Sequence, residues 1–218
     1  MKKVFFILMI ILVSLPAMSQ GRKYQKRMLK AIQEMNEVND PAGSLQYATS
    51  FEEFAQSYPT QWIPSYYASY ILITTSFVES DPAIKDTLLA RANKSLDKAL
   101  ELAPEESEVH TLDALYLLGM MSVDPAVRGP EYFEDVNSAL NKAKELNSNN
   151  PRAVFLDGMM AANLPDFMGG GPAVAKPIFL EAEKLFNEFQ NDDPLWPVWG
   201  ADLVQDELEK VKDVVIEE

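Results

Sequence analysis

The chemistry open to this chain is bounded first by its reactive side chains: one histidine, His110, no cysteine, and 33 acidic residues. The missing cysteine removes thiol catalysis, thiolate metal sites, disulfides and a lipid-modified N-terminal cysteine. A Ser-His-Asp set needs a histidine beside its nucleophile, and one imidazole builds no zinc site unless carboxylates supply the rest. The acids fall at three- and four-residue intervals, as in Glu105, Glu106 and Glu108 or Glu207 and Glu209, which is the spacing of solvated helix faces. No loop alternates oxygen ligands as a calcium-binding hand does, and no carboxylate pair stands out for acid-base work. The sequence assigns no catalytic residue, no metal ligand and no cofactor, and the chain is read as non-enzymatic.

Three other stretches invite a chemical reading. PDFMGGGPA, Pro165 to Ala173, sets three glycines before a helix start. Such a turn can aim backbone N–H groups at an anion, but it lacks the lysine and Ser/Thr of a phosphate loop, and a wide turn between helices explains it equally. Trp62, Tyr66, Tyr67 and Tyr70 are spaced as one helical stripe, suited to a core. DPLWPVWG, Asp193 to Gly200, brings two tryptophans to the expected start of the last helix, where they would seal the end of the fold. Asp86-Thr87-Leu88 also resembles a short acceptor motif for O-linked glycosylation at Thr87.

Charge and the first residues speak to compartment. Lys2 and Lys3, a twelve-residue apolar run from Val4 to Leu15, and Ala17-Met18-Ser19 have the layout of a cleavable export signal. Twelve helical residues span only about 18 Å, too little for a hydrocarbon core of about 30 Å. Cleavage between Ser19 and Gln20 leaves 17 basic against 33 acidic residues. That field disfavours nucleic acid and anionic surfaces as partners. The exception is RKYQKRMLK, Arg22 to Lys30, with five cations in nine residues. It reads as a solvated helix start balancing the acidic body, or as an electrostatic tether. A periplasmic or exported protein without stable membrane insertion is expected.

These residues must be positioned by helices, because from about Gln25 the apolar residues recur at three and four and no alternation argues for strands. Asp40-Pro41, Tyr58-Pro59, Asp81-Pro82, Ala103-Pro104, Asp124-Pro125, Asn150-Pro151, Gly171-Pro172 and Asp193-Pro194 punctuate the pattern, several offering an Asp or Asn cap with proline at the first helical position. The predicted helices run over about 22–38, 44–57, 60–80, 83–103, 106–121, 131–147, 150–163, 172–190 and 194–213. Residues 1–19 form the leader, 20–43 an N-terminal helical segment, 44–213 a helical repeat domain and 214–218 an acidic tail.

The repeat is visible in residue types. Ala92, Leu96, Ala99 and Pro104 are matched by Val136, Leu140 and Ala143 about 44 residues on, and again by Ala175, Phe179 and Ala182. Leu112-Asp113-Ala114 and Leu156-Asp157-Gly158 keep the same interval in the preceding helices. In this spacing the chain resembles the tetratricopeptide repeat family, over roughly residues 44 to 205. Ordinary units of that family take about 34 residues; here about ten extra fall between first and second helices, at 122–135 and 163–175.

The resemblance implies an all-α, right-handed solenoid of stacked antiparallel helix pairs whose first helices line a concave groove. Carried across by position, the groove residues are Gln61 and Ala68, then Glu108, Thr111 and Leu115, then Arg152, Phe155 and Met159; His110 takes a packing position. The expected function is a protein-interaction or scaffold module holding a peptide segment or partner protein. The alternative is a periplasmic small-solute-binding component of a transporter, which the long inserts favour. N-terminal sequencing of the protein recovered from the periplasm should begin at Gln20; an intact Met1 in a membrane fraction would overturn the export reading.

Overall fold

The computed structural model describes residues 21–38 and 40–215. The expected leader and the end of the acidic tail lie outside the described residues. Those described form helices joined by short turns, with no strand among them. Helix α1 covers residues 21–36. It is followed by α2 (Pro41–Ser57), α3 (Ile63–Val78), α4 (Pro82–Leu102), α5 (Ser107–Val123), α6 (Pro125–Leu146), α7 (Pro151–Asn163), a 3-10 turn (Asp166–Met168), α8 (Pro172–Glu188) and α9 (Ala201–Lys210). The closest packing joins α2 with α3, α3 with α4, α5 with α6 and α7 with α8, while α3, α5 and α7 also touch in series.

The second helix of each pair starts in one way. Helices α2, α4, α6 and α8 all open with Pro-Ala, and in the first three the Asp before that proline accepts a hydrogen bond from a backbone N–H of the first turn. Proline fits there because its missing N–H would be unpartnered in any helix, and the aspartate carboxylate satisfies one of the remaining donors. In α7 the cap is Asn150, whose Oδ1 accepts from the N–H groups of Arg152 and Ala153. Helices α6 and α8 also share an inner proline, Pro130 and Pro177, so PAVRGP and PAVAKP are corresponding helix starts.

Two boundaries differ from the sequence reading. The first insert, expected as a connection over 122–135, is helix: α5 runs to Val123 and α6 begins at Pro125, leaving Asp124 alone between them. Its extra residues lengthen the helices. The last helix, expected from 194, begins only at Ala201. Pro194 and Pro197 withhold amide donors, and Gly200 takes φ 110, so residues 189–200 stay outside any helix, with a turn at 193–196.

The repeated small and large residues pack as a register. Ala92, Leu96, Ala99, Val136, Leu140, Ala143, Ala175, Phe179 and Ala182 are all buried, whereas Pro104 is exposed past the end of α4. A side chain at Gly158 would meet the Phe179 ring at 2.6 Å, and one at Gly119 would meet Leu89 at 2.8 Å. The small residues therefore set how closely the helices approach, and the neighbouring large side chain fills the space. Polar bonds between units repeat the interval. Tyr66 reaches Glu108, Arg91 reaches Thr49 and Arg128 reaches Asp86 across 42 residues, Asn150 reaches Ser107 across 43, and Arg152 reaches Glu108 across 44.

Ala143 tests this register. Its side chain is fully buried and its carbonyl accepts the Ser107 hydroxyl at 2.8 Å, so Ala143→Trp should overpack the contact between α5 and α6. Urea unfolding is expected to show a loss of about 3 kcal/mol; an unchanged midpoint would mean that the contact is loose.

Candidate functional site

Of the residues expected to line a groove, Glu108, Thr111 and Leu115 share one side of α5 and Arg152, Phe155 and Met159 one side of α7, next to Tyr66 and Tyr70 of α3, whereas Ala68 falls on the other side of α3; the shared face is partly covered. Glu108, Thr111, Leu115, Arg152 and Phe155 are buried, Ala68 is fully buried, Met159 is half-buried, and Gln61 is exposed just before α3. What covers the face is the non-helical stretch Asp193 to Gly200. Tyr67 Oη donates to the Leu195 and Trp196 carbonyls at 3.1 and 3.3 Å, and an Arg152 amino group donates to the Pro197 carbonyl. Trp199 Nε1 donates to Tyr66 Oη at 2.8 Å, and the Trp196 ring meets Trp62 edge-on at 5.7 Å. This strap crosses back to α3, more than 120 residues earlier in the chain. It therefore overlays the face of the first helices, where the sequence reading set it as a seal on the end of the fold.

At the centre lies a buried ion pair. Arg152 Nη1 is 3.0 Å from Glu108 Oε1, with both side chains 2% exposed. Tyr66 Oη donates to the other carboxylate oxygen at 3.3 Å, and the rings of Phe186, Phe189 and Trp199 lie within 6 Å of the guanidinium carbon. Burial pushes the Glu108 carboxyl above its usual range, opposed by the charge and hydrogen bonds of Arg152. Burial also holds the Tyr66 phenol far above neutrality and pushes Tyr70 up to about 12. This cluster binds and orients the strap.

Beyond the strap the same face is open. Phe77 follows Tyr66 by eleven residues and Asn163 follows Arg152 by eleven, about three turns in each case, which returns them to the same side of their helices. Tyr70 and Thr74 on α3, Leu118 and Ser122 on α5 and Met159 on α7 are half-buried there, and Phe77 is 40% exposed. Trp199 stacks on Tyr70 with ring centroids 5.3 Å apart, and the next strap residue back, Val198, is 71% exposed. The open part is thus an apolar surface with an aromatic step at one end, edged by hydroxyl and amide groups.

With this geometry in view, one comparison bears on function. Over 89% of this chain and 96% of the other, the structure is similar to the HusA haemophore from Porphyromonas gingivalis, with a TM-score of 0.79 and 26% identical residues. Neither a protein-family model nor a curated protein matches the sequence.

The remaining chemical candidates lie elsewhere. A ring nitrogen of half-buried His110 is 2.7 Å from the Pro104 carbonyl, and the ring borders a shallow hollow between α5 and α6 with Asp113, Asp135, Ser138 and Lys142. Burial raises Asp113 to about 6. The glycine turn is not an anion cradle: Gly169, Gly170 and Gly171 donate their N–H groups to the Asp166, Pro165 and Ala161 carbonyls. Thr87 sits within α4, its hydroxyl bonded to the Ala83 carbonyl. Among the described residues no cluster of three or more His, Cys, Asp or Glu is placed to hold a metal ion.

Sequence reasoning named Glu108 and Arg152 but missed their mutual pairing and the strap that lies on them. The available signal was the 44-residue separation of a glutamate and an arginine at equivalent positions. Arg152→Met should leave Glu108 buried without its counter-charge and the Pro197 carbonyl without its donor, costing about 3–5 kcal/mol in denaturant unfolding. Adding Glu108→Leu should recover part of that loss, because paired residues are not additive. Additive losses in the double variant would show that the two side chains act separately.

Proposed function

We propose that this chain is an exported, non-enzymatic carrier that holds a flat, largely apolar small molecule of the porphyrin class on the open part of the α3, α5 and α7 face. The observation that carries the reading is the aromatic step of Tyr70 and Trp199, stacked at 5.3 Å beside the half-exposed Phe77 and half-buried Met159. A planar ring system gains both area and stacking geometry from such a step. The likeness to a protein described as a haemophore supports the ligand class. The export signal in the sequence supports the compartment, and no helix among the described residues is long and apolar enough to cross a membrane. The finer architecture we propose is the tetratricopeptide-like right-handed solenoid, supported by the 42- to 44-residue recurrence of bonds between units.

The open face offers few iron ligands. His110 lies between α5 and α6, bonded to Pro104, and a Tyr70 phenol raised to about 12 does not ionise at neutral pH. Met159 supplies a thioether. Recognition then rests on the ring plane; Thr74 and Ser122 at the edge give their hydroxyl hydrogens to backbone carbonyls, and Asn163, which gives one amide hydrogen to Met159, keeps a second for a polar substituent.

A peptide in the groove is a second reading, and one observation favours it. The chain's own residues 193–200 already lie on this face as a non-helical peptide segment, held through their carbonyls by Tyr67 and Arg152. The part of the face that reads a peptide backbone is therefore filled from within, leaving the apolar part for a ligand.

Titration with haem and with metal-free protoporphyrin, followed by quenching of tryptophan fluorescence and by thermal shift, separates these readings. Both porphyrins should quench Trp199 and raise the melting temperature to similar extents. Phe77→Ala should weaken binding by about tenfold, the scale of one lost aromatic contact. Stabilisation by peptides with no response to either porphyrin would overturn the small-ligand reading.

A further inference from the structure

Helix α1 divides its surface sharply. Tyr24, Met28, Ala31 and Ile32 are buried against the fold, and Tyr24 packs on Tyr58 with ring centroids 4.8 Å apart. At 100° per residue, Arg22, Lys23, Lys26, Arg27 and Lys30 all fall within an arc of about 140° on the opposite side, and all five are exposed. Lys30 sits 3.4 Å from Glu34 at an exposed site, and Arg27 lies 4.8 Å over the Phe54 ring. Arg22, Lys23 and Lys26 have no partner among the described residues. The rest of the chain, from Asp40 to Val215, carries twelve basic against 29 acidic residues. Five of the seventeen basic residues beyond position 20 thus share one exposed arc of the first described helix.

We propose that this stripe is a docking surface for the phosphate headgroups of an anionic lipid bilayer, to which the protein adsorbs without inserting. Charge complementarity sets the sign of the partner. The form of the stripe selects a planar array: it runs about 12 Å along a straight helix, and α1 turns its large apolar side chains inward. A protein interface normally has an apolar or aromatic centre, and a single-stranded nucleic acid site has stacking platforms; the stripe has neither. A flat anionic surface needs only cations within a Debye length of it. Because the five cations share one exposed arc of a straight helix, they can meet a plane together. The attachment this gives is weak, reversible and salt-sensitive. It is independent of any ligand on the α3, α5 and α7 face.

Vesicle sedimentation of the chain beginning at Gln20 tests it. The probes are vesicles of phosphatidylcholine alone and vesicles containing about 30 mol% phosphatidylglycerol, enough to give a negative surface potential. The protein should sediment with the anionic vesicles at low salt, remain in solution with the neutral ones, and be released at about 0.5 M salt, where the Debye length falls to a few ångströms. Replacing Arg22, Lys23 and Lys26 together by Gln should reduce vesicle binding at least tenfold, while helical circular dichroism and the porphyrin response stay unchanged. The Lys23→Arg/Lys26→Arg variant should bind like the parent. The proposal falls if neutral vesicles bind equally, if the triple Gln variant binds as well as the parent, or if the protein stays in solution with both vesicle types.

Discussion

The face of the first helices is organised by the burial of one guanidinium. Arg152 is almost fully enclosed, and its charge is met by Glu108, by the Pro197 carbonyl and by three aromatic rings. Removing such a pair from water costs several kcal/mol per ion, and attraction between the two charges repays that only when the remaining hydrogen-bonding capacity is also met. Here Tyr66 completes the carboxylate and is itself fixed by Trp199, while the buried Arg152 Nε alone of the guanidinium nitrogens has no hydrogen-bond partner. The pair therefore needs the strap. Without residues 195–199, the arginine would lose a carbonyl and an aromatic neighbour, and the tyrosine would lose its donor from Trp199. The pair ties α5 to α7 within the repeat, and the strap ties both to α3.

That dependence explains which parts of the molecule were legible in the sequence. The helices were, because each second helix opens on Pro-Ala behind an aspartate or a glycine, and α4 and α8 carry an Ala-large-Ala spacing, kept in α6 with Val136 in the first place, that close helix packing requires. These are local signals, set within one or two turns. The length of α6 was misread because glycine and two prolines between 125 and 130 suggested a loop. Pro125 stands in the first turn, where it leaves no helical bond unmade, and only Pro130 withdraws an interior donor.

The strap was illegible for a different reason. DPLWPVWG has helix-starting punctuation, and nothing local distinguishes a tryptophan that ends a fold from one that crosses to a helix 133 residues earlier. Its destination is decided by the cluster awaiting it, Tyr66, Tyr67 and Arg152, which comes from two separated helices. The glycine turn is the converse case. Its three N–H groups looked free because their partners, the carbonyls of Ala161, Pro165 and Asp166, become acceptors only once the turn has closed on the end of α7.

The strap also divides the face into two kinds of surface. Where it lies, the aromatic hydroxyls and the guanidinium are turned to backbone carbonyls, so that part is polar in its bonding and closed to water. Past Val198 the strap turns away through Gly200, whose φ of 110 suits a residue without a side chain, and a side chain there would meet the Phe186 ring at 2.6 Å. The chain must turn at that point to pack α9 against α8, where Val204 is buried. The step between Trp199 and Tyr70 is a consequence of that turn: the last ring of the strap is left stacked at its edge, with the apolar remainder of α3, α5 and α7 beyond it.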